Sequence, residues 1–130
     1  MASGKREPAD SKAAMSAQVF QILLSLLDQE LHGYALIQDI RDRTGGEVSL
    51  TASTLYAATK RLLAGDLIEE VELVAPPPNH DSRRRYYRIT PRGRTAARQE
   101  AQRLERLTAM AREKRLLGTL RAGAHPKGSR

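Results

Sequence analysis

After Asp66 the hydrophobic period of this chain changes. Up to that point apolar residues recur at spacings of three and four; beyond it LIEEVELV and RRYYRIT alternate with period two, joined by APPPNHDS. The order reads as a β-hairpin behind a helical trio, and 130 residues leave room for one compact core. Hydrophobic residues make up 40% of the chain but aromatics only 4%, with no Trp and one Phe, so that core has to be aliphatic.

The first helix is expected to start between Ala13 and Ser16 and to run to about Gln29, carrying Val19, Phe20, Ile22, Leu23, Leu24, Leu26 and Leu27. It is apolar nearly all round, which requires a central position or a face lent to a second subunit. The second is expected over Gly33 to Arg43, stopped by Gly45 and Gly46, and the third from a Ser49 or Thr51 cap to about Ala64, ended by Gly65. At 100° per residue, Thr51, Ala52, Leu55, Ala58, Thr59 and Leu62 fall on one side of the third helix. Ser53, Ala57 and Lys60 fall on the other, flanked by Tyr56, Thr54 and Arg61. That second face is small, polar and basic, which suits a helix lying in a DNA groove.

On the returning strand Tyr87 and Ile89 are expected to face the core, with Tyr86 and Arg88 facing solvent or a ligand. Thr90 and Pro91 read as N-cap and first residue of a long helix to about Leu117, stopped at Gly118. Its apolar seam is narrow: Ala97, Ala101, Leu104, Leu107, Ala111 and Leu117. A seam of that kind suits pairing between subunits. The expected organisation is a flexible arm over 1–12, a domain over 13–90, a dimerisation helix over 91–118 and a flexible tail over 119–130.

Charge is distributed unevenly. Residues 1–80 hold seven Lys and Arg against eleven Asp and Glu, net −4; residues 81–130 hold fifteen against four, net +11. DSRRRYYRITPRGR, residues 81–94, contains six arginines, among them Arg83, Arg84, Arg85 and Arg88. Such a field points to a polyanionic partner, nucleic acid before acidic lipid. Glu69, Glu70 and Glu72 on the facing strand are expected to pair with about half of the wing arginines at Arg84, Arg85 and Arg88. The absence of cysteine excludes a disulfide framework and a thiolate metal site, consistent with a reducing cytoplasm. SAQVFQILLSLL fails as a secretory signal because Gln18 and Gln21 interrupt it and acidic DQE follows, and it is too short to span a membrane. The chain reads as cytoplasmic, with no membrane association and no cofactor.

Helix, helix, helix, hairpin is the element order of a winged helix, so the fold class is mostly α with a small β-hairpin: a winged helix-turn-helix plus one long C-terminal dimerisation helix. HGYALIQDI, then TLYAATKRLLAGDLIEE, then SRRRYYRITPRGR resemble, in order and spacing over about residues 16–95, the PadR-type transcriptional regulators. The single helix after the wing is similar to the shorter branch of that family. The resemblance implies a DNA-binding winged helix, a homodimer built through the C-terminal helix, and repression relieved by a small-molecule effector. The DNA contacts expected are Ser53, Thr54, Tyr56, Ala57, Lys60 and Arg61 on the third helix and Arg83, Arg84, Arg85 and Arg88 on the wing, on double-stranded DNA with an inverted-repeat operator. The sequence departs from the family where Thr59 replaces an aliphatic residue, expected to loosen packing slightly. It departs again where Asp66 replaces a Gly, with Gly65 expected to supply the positive φ.

His32 is expected near a helix cap and Tyr34 in the core; His80 beside Asp81 reads as a wing-tip turn. A basic RNA-binding or ribosome-associated protein is the alternative function, although the aromatics form no base-stacking platform. A small nuclease using Asp39, Asp42 and Glu47 is a weaker one, since Asp39 and Asp42 lie on an ordinary charged helix face beside Arg41 and Arg43. No nucleophile or phosphate-loop motif is present, so no catalysis is expected.

Overall fold

A computed structural model describes residues 15–72 and 84–118. The elements run α1 (Ala17–Ser25), β1 (Leu31–His32), α2 (Gly33–Arg43), α3 (Ala52–Ala64), β2 (Ile68–Val71), β3 (Tyr86–Ile89) and α4 (Pro91–Glu113). The expected N-terminal arm, the wing tip with His80, Asp81 and Arg83, and the C-terminal tail lie outside the described residues. The chain divides into two compact units, Met1–Glu100 and Ala101–Arg130.

Hydroxyl and imidazole caps start the helices of the first unit where the sequence placed them. Ser16 caps α1, His32 caps α2 through Nδ1, and Thr51 rather than Ser49 caps α3. Helix α1 is shorter than expected and ends at Ser25 instead of about Gln29. The carbonyl of Leu27 accepts from Arg94 Nη2 at 2.7 Å, a bond that serves in place of a further helical turn.

The C-termini of α2, α3 and α4 follow one scheme, at α4 with Leu116 N–H on Ala111 O and Arg115 N–H on Arg112 O. At α2, Gly46 N–H bonds to Arg41 O and Gly45 N–H to Asp42 O, with Gly45 at φ 63. At α3, Leu67 N–H bonds to Leu62 O at 2.9 Å and Asp66 N–H to Leu63 O at 3.1 Å. In this arrangement the residue past the cap is left-handed. At α3 that residue is Asp66, with φ 62, while Gly65 has φ −88 and needs no glycine freedom. The expected assignment of the positive φ to Gly65 is therefore wrong: Asp tolerates the left-handed region better than most residues.

The sheet is three-stranded and antiparallel, in the order β1-β3-β2, rather than a two-stranded hairpin. Leu31 pairs with Tyr87 and His32 with Tyr86, while Ile68 to Val71 pair with Ile89 to Tyr86. A two-residue strand is too short to leave a period in the sequence. Its presence makes β3 central, which buries Tyr86 as well as Tyr87 and Ile89 and leaves Arg88 exposed. Tyr86 was expected outside; the His32 ring meets it edge-on at 5.1 Å instead.

The core is aliphatic, built from Ile22, Leu23, Leu26, Leu36, Ile40, Leu50, Leu55, Leu62, Ile68 and Ile89, with Ala58, Ala97 and Tyr87. Ala97, expected at a subunit interface, belongs to this core at 5% exposure. In the second unit Leu104, Leu107 and Leu117 are exposed, with Met110 beside them. Helix α4 ends at Glu113, one turn before the expected Leu117. Arg115 takes the left-handed conformation, at φ 66, and nothing in the sequence marks it for that role.

A polar clamp ties α1 to α2. Asp39 Oδ2 accepts from Ser25 Oγ at 2.7 Å and from Arg43 Nε at 2.9 Å, and Arg43 also donates to Gln21 Oε1 and to the Gln21 carbonyl. Burial alone would raise the Asp39 carboxyl, but the Ser25 and Arg43 bonds outweigh it and hold the group below the ordinary aspartate range. A carboxyl depressed by folding contributes stability above about pH 4 and loses it as pH falls through its folded-state value. Asp39→Asn is therefore expected to flatten the acid limb of the stability curve, measured by urea denaturation between about pH 3 and 6.

Candidate nucleic-acid interface

Helix α3 sorts its side chains cleanly. Leu55, Ala58, Thr59 and Leu62 are buried, while Ser53, Tyr56, Ala57, Lys60 and Arg61 are exposed and Thr54 is partly covered. Thr51 and Ala52, placed by the wheel on the core side, are exposed as well, because they precede the first packed turn. The outward face carries chemistry suited to a groove. Thr51 Oγ1 accepts from Thr54 N–H at 3.1 Å, donates to Thr54 Oγ1 at 2.9 Å and lies 3.4 Å from Ser53 Oγ. One turn on, Lys60 Nζ stands 5.7 Å from the centre of the Tyr56 ring, a cation–π contact that holds the ammonium over the exposed face.

Thr59 does more than fill space. Its hydroxyl donates to the Tyr56 carbonyl at 3.0 Å. Burial pushes the Tyr87 phenol on the central strand above its ordinary range, and the Thr59 hydroxyl partly offsets the rise.

The arginine-rich segment resolves into three kinds of side chain. Arg92 Nε donates to the Gly65 carbonyl at 3.1 Å and Arg94 Nη2 to the Leu27 carbonyl, so these two cap the C-termini of α3 and α1. Arg88 is held by Glu69 at 2.8 Å and by Glu30 at 3.4 Å, and the Glu69 bond raises its pKa above the ordinary arginine range. Arg85 makes one exposed pair, with Glu70 at 3.1 Å. Arg84 Nη1 lies 3.0 Å from His32 Nε2 instead of pairing with a strand glutamate. A neutral imidazole accepts at one nitrogen only, and His32 Nδ1 already accepts from Ala35 N–H. Arg84 therefore competes with a helix cap for a single lone pair and is held less firmly than Arg88.

Thr90 and Gly93 set the wing against α3. Thr90 N–H bonds to Leu67 O at 3.1 Å, its hydroxyl donates to Asp66 O at 2.6 Å, and the same oxygen accepts from Gly93 N–H at 2.9 Å. A Cβ on Gly93 would lie 2.1 Å from Leu67 O and 2.8 Å from the Ile89 side chain. Sequence reading found the Thr90 cap but missed Gly93, whose need is set by a backbone 26 positions away. Tyr34 was also misplaced: it is 62% exposed, although a helical wheel puts it with Gln38 and Arg41 rather than with Leu36 and Ile40.

An open cleft of about 540 Å³ is lined by Leu26, Leu27, Glu30, Arg88, Ile89 and Arg94. Both of its arginines are already engaged as described, so it offers no ready anion site. Among the described residues no group of three or more His, Asp or Glu side chains could hold a metal ion, and Asp39 is taken up by Ser25 and Arg43. No described helix is long and apolar enough to cross a membrane.

The profile of the transcriptional regulator PadR-like family matches residues 22–99. An uncharacterized protein of Lysinibacillus sphaericus is 33% identical over 73 residues, covering 56% of this chain and 64% of that relative, so the chain spans somewhat less than two thirds of its length. A transcriptional regulator from Clostridium thermocellum superposes with a TM-score of 0.61 at 27% identity, over 73% of this chain and 89% of that one. PadR of Bacillus subtilis, solved in complex with operator DNA, shares the fold with a TM-score of 0.53 at 21% identity, over 65% of this chain and 46% of that one.

The Thr90 junction makes a contrast between two glycines testable. Gly93→Ala drives a methyl into a carbonyl and is expected to destabilise by about 3 kcal/mol, the upper end for overpacking. Gly65→Ala meets its nearest atom at 3.5 Å and is expected to stay within about 0.5 kcal/mol of wild type in urea denaturation.

Proposed function

Since the chain belongs to the PadR-like family of transcriptional regulators, we propose that it is a dimeric, sequence-specific DNA-binding repressor acting in the cytoplasm and relieved by a small-molecule effector. In this reading residues 13–90 bind double-stranded DNA, residues 91–118 dimerise, and the protein is not an enzyme. The observation that carries it is the α3 surface: a mostly aliphatic buried back, and an outward face of Ser53, Tyr56, Ala57, Lys60 and Arg61 with partly covered Thr54. The Bacillus subtilis PadR with operator DNA supports the same use of the fold.

The roles divide by chemistry. Ser53, Ala57 and Lys60 are small or long enough to reach base edges in a major groove, where donor and acceptor patterns distinguish all four base pairs. Arg84 and Arg85 are placed to meet phosphate, which sets register and affinity but carries no sequence information. Arg88, doubly engaged by Glu69 and Glu30, contributes less to DNA than its neighbours, and Arg83 lies outside the described residues. The effector and its relief of repression rest on the family resemblance.

Electrophoretic mobility shift against the chain's own promoter region, with cleavage and RNA competition followed together, tests the function. Retarded, intact duplex with an inverted-repeat footprint is expected; degraded duplex or preference for RNA would contradict it. If about six to ten phosphates are neutralised per dimer, affinity falls about 10³- to 10⁵-fold between about 50 and 200 mM salt. Replacing Arg84 and Arg85 together with Ala is expected to flatten that slope on every duplex. Lys60→Ala is expected to lose about 1–3 kcal/mol of discrimination between operator and scrambled duplex.

Dimerisation has its own candidates. In the second unit Leu104, Leu107, Met110 and Leu117 are 38–56% exposed, with Ala101 and Ala111 at helical spacing from them. Leu107→Asp would place a charge where a partner helix must exclude water, at a cost of several kcal/mol. Analytical ultracentrifugation is expected to show this variant as a monomer at concentrations where the wild type is a dimer.

A further inference from the structure

Tyr34 stands out among the aromatic residues. Tyr86 and Tyr87 are buried, each at 8% exposure, whereas Tyr34 and Tyr56 are each 62% exposed. The exposure of Tyr56 has a partner in Lys60, and that of Tyr34 has one in Gln38. Gln38 Nε2 donates to the Tyr34 hydroxyl at 2.8 Å along the outward side of α2. A phenolic oxygen that accepts one hydrogen bond still has its own proton to give.

The position of this donor is set by packing. A Cβ on Gly33 would lie 3.2 Å from Leu55 Cδ2, so the first turn of α2 rests directly on α3 at Leu55, between Thr54 and Tyr56. His32, immediately before, caps α2 and carries Arg84 at 3.0 Å. Tyr34 follows Gly33 directly and stands exposed on this same first turn of α2. Where a recognition helix enters the major groove, the helix before it crosses the sugar-phosphate backbone.

From these contacts we infer that the Tyr34 hydroxyl donates to a backbone phosphate of bound DNA, with Gln38 as the residue that positions it. The inference rests on the DNA-binding reading above and adds a contact of a different chemical kind from the wing arginines. A phenol is neutral. Its hydrogen bond to a phosphate adds affinity but neutralises no charge and releases no condensed counterion, so it leaves no mark on the salt dependence.

Tyr34→Phe tests this because it removes one exposed oxygen and keeps the ring. The full-length variant should melt at the wild-type temperature. In fluorescence anisotropy at fixed salt it should bind both the promoter duplex and a scrambled duplex about tenfold more weakly, as expected for loss of a hydrogen bond to a charged group. The slope of log K against log salt should match the wild type. Gln38→Ala should show a smaller loss of the same pattern. Unchanged affinity of Tyr34→Phe would overturn the inference and leave the DNA-binding reading standing. A loss confined to the promoter duplex would also overturn it, since the hydroxyl would then be reading a base. Failure of the wild-type protein to bind either duplex would remove the inference and the proposed function together.

Discussion

The Thr90 side chain is the point on which the geometry of the first unit depends. One hydroxyl donates to the Asp66 carbonyl and accepts from Gly93 N–H, while the backbone N–H of the same residue reaches the Leu67 carbonyl. The turn that ends α3, the strand that carries the wing arginines and the first turn of α4 are thereby closed on each other at hydrogen-bonding distance. None of the three can shift without breaking one of these bonds, of which the Gly93 bond is buried and the Asp66 bond part-buried, with Thr90 itself 5% exposed. Losing such a partner costs more than the bond itself contributed, because the stranded group is left desolvated. Gly93 makes the closure possible by letting α4 approach to where any Cβ would collide with Leu67 O. Around this point the Schellman turn at Asp66 and the Arg92 bond to Gly65 O act in the same direction. They fix the outward face of α3 relative to β3.

That rigidity changes how the basic segment is understood. A run of six arginines in fourteen residues looks like one uniform patch in the sequence, but the fold assigns its members different work. Arg92 and Arg94 neutralise the negative ends of two helices and meet backbone carbonyls, a structural use of charge. Arg88 lies between Glu69 and Glu30. Arg84 and Arg85 remain on exposed, weakly held contacts that a phosphate can replace at little cost, since exposed pairs contribute little to stability. A binding surface is better served by a few readily exchanged arginines on a rigid frame than by many that are mutually committed.

Much of this was legible in the sequence, for identifiable reasons. The helical periods of α2 and α3, the Thr51 and Thr90 caps and the exposed side of α3 follow from local spacing and capping chemistry, and the match to the PadR-like family spans the same residues. What escaped was set by distant neighbours. Strand β1 exists only because β3 is there to pair with it, and its presence buries Tyr86. The left-handed residue proved to be Asp66 rather than the adjacent glycine because the hydrogen bonds from Leu67 and Asp66 to α3 fix which residue lies past the cap. Ala97 looked like part of a dimer seam because its spacing matches Ala101 and Leu104, yet it sits in the core. Tyr34 was expected inward as a large ring near a helix start that usually fills core, although its wheel position already placed it outward with Gln38.

The central claim is that one rigid surface, made of the α3 face and the base of the wing, meets DNA while the rest of the first unit serves as its support. Amide chemical-shift mapping by NMR during titration with a duplex from the chain's own promoter region examines that surface residue by residue. The account predicts the largest changes at Ser53 to Arg61, at Arg84 and Arg85 and at Tyr34, with the amides of Leu23, Leu36 and Ile40 unmoved. Changes concentrated on α1, or spread evenly through the core, would contradict it.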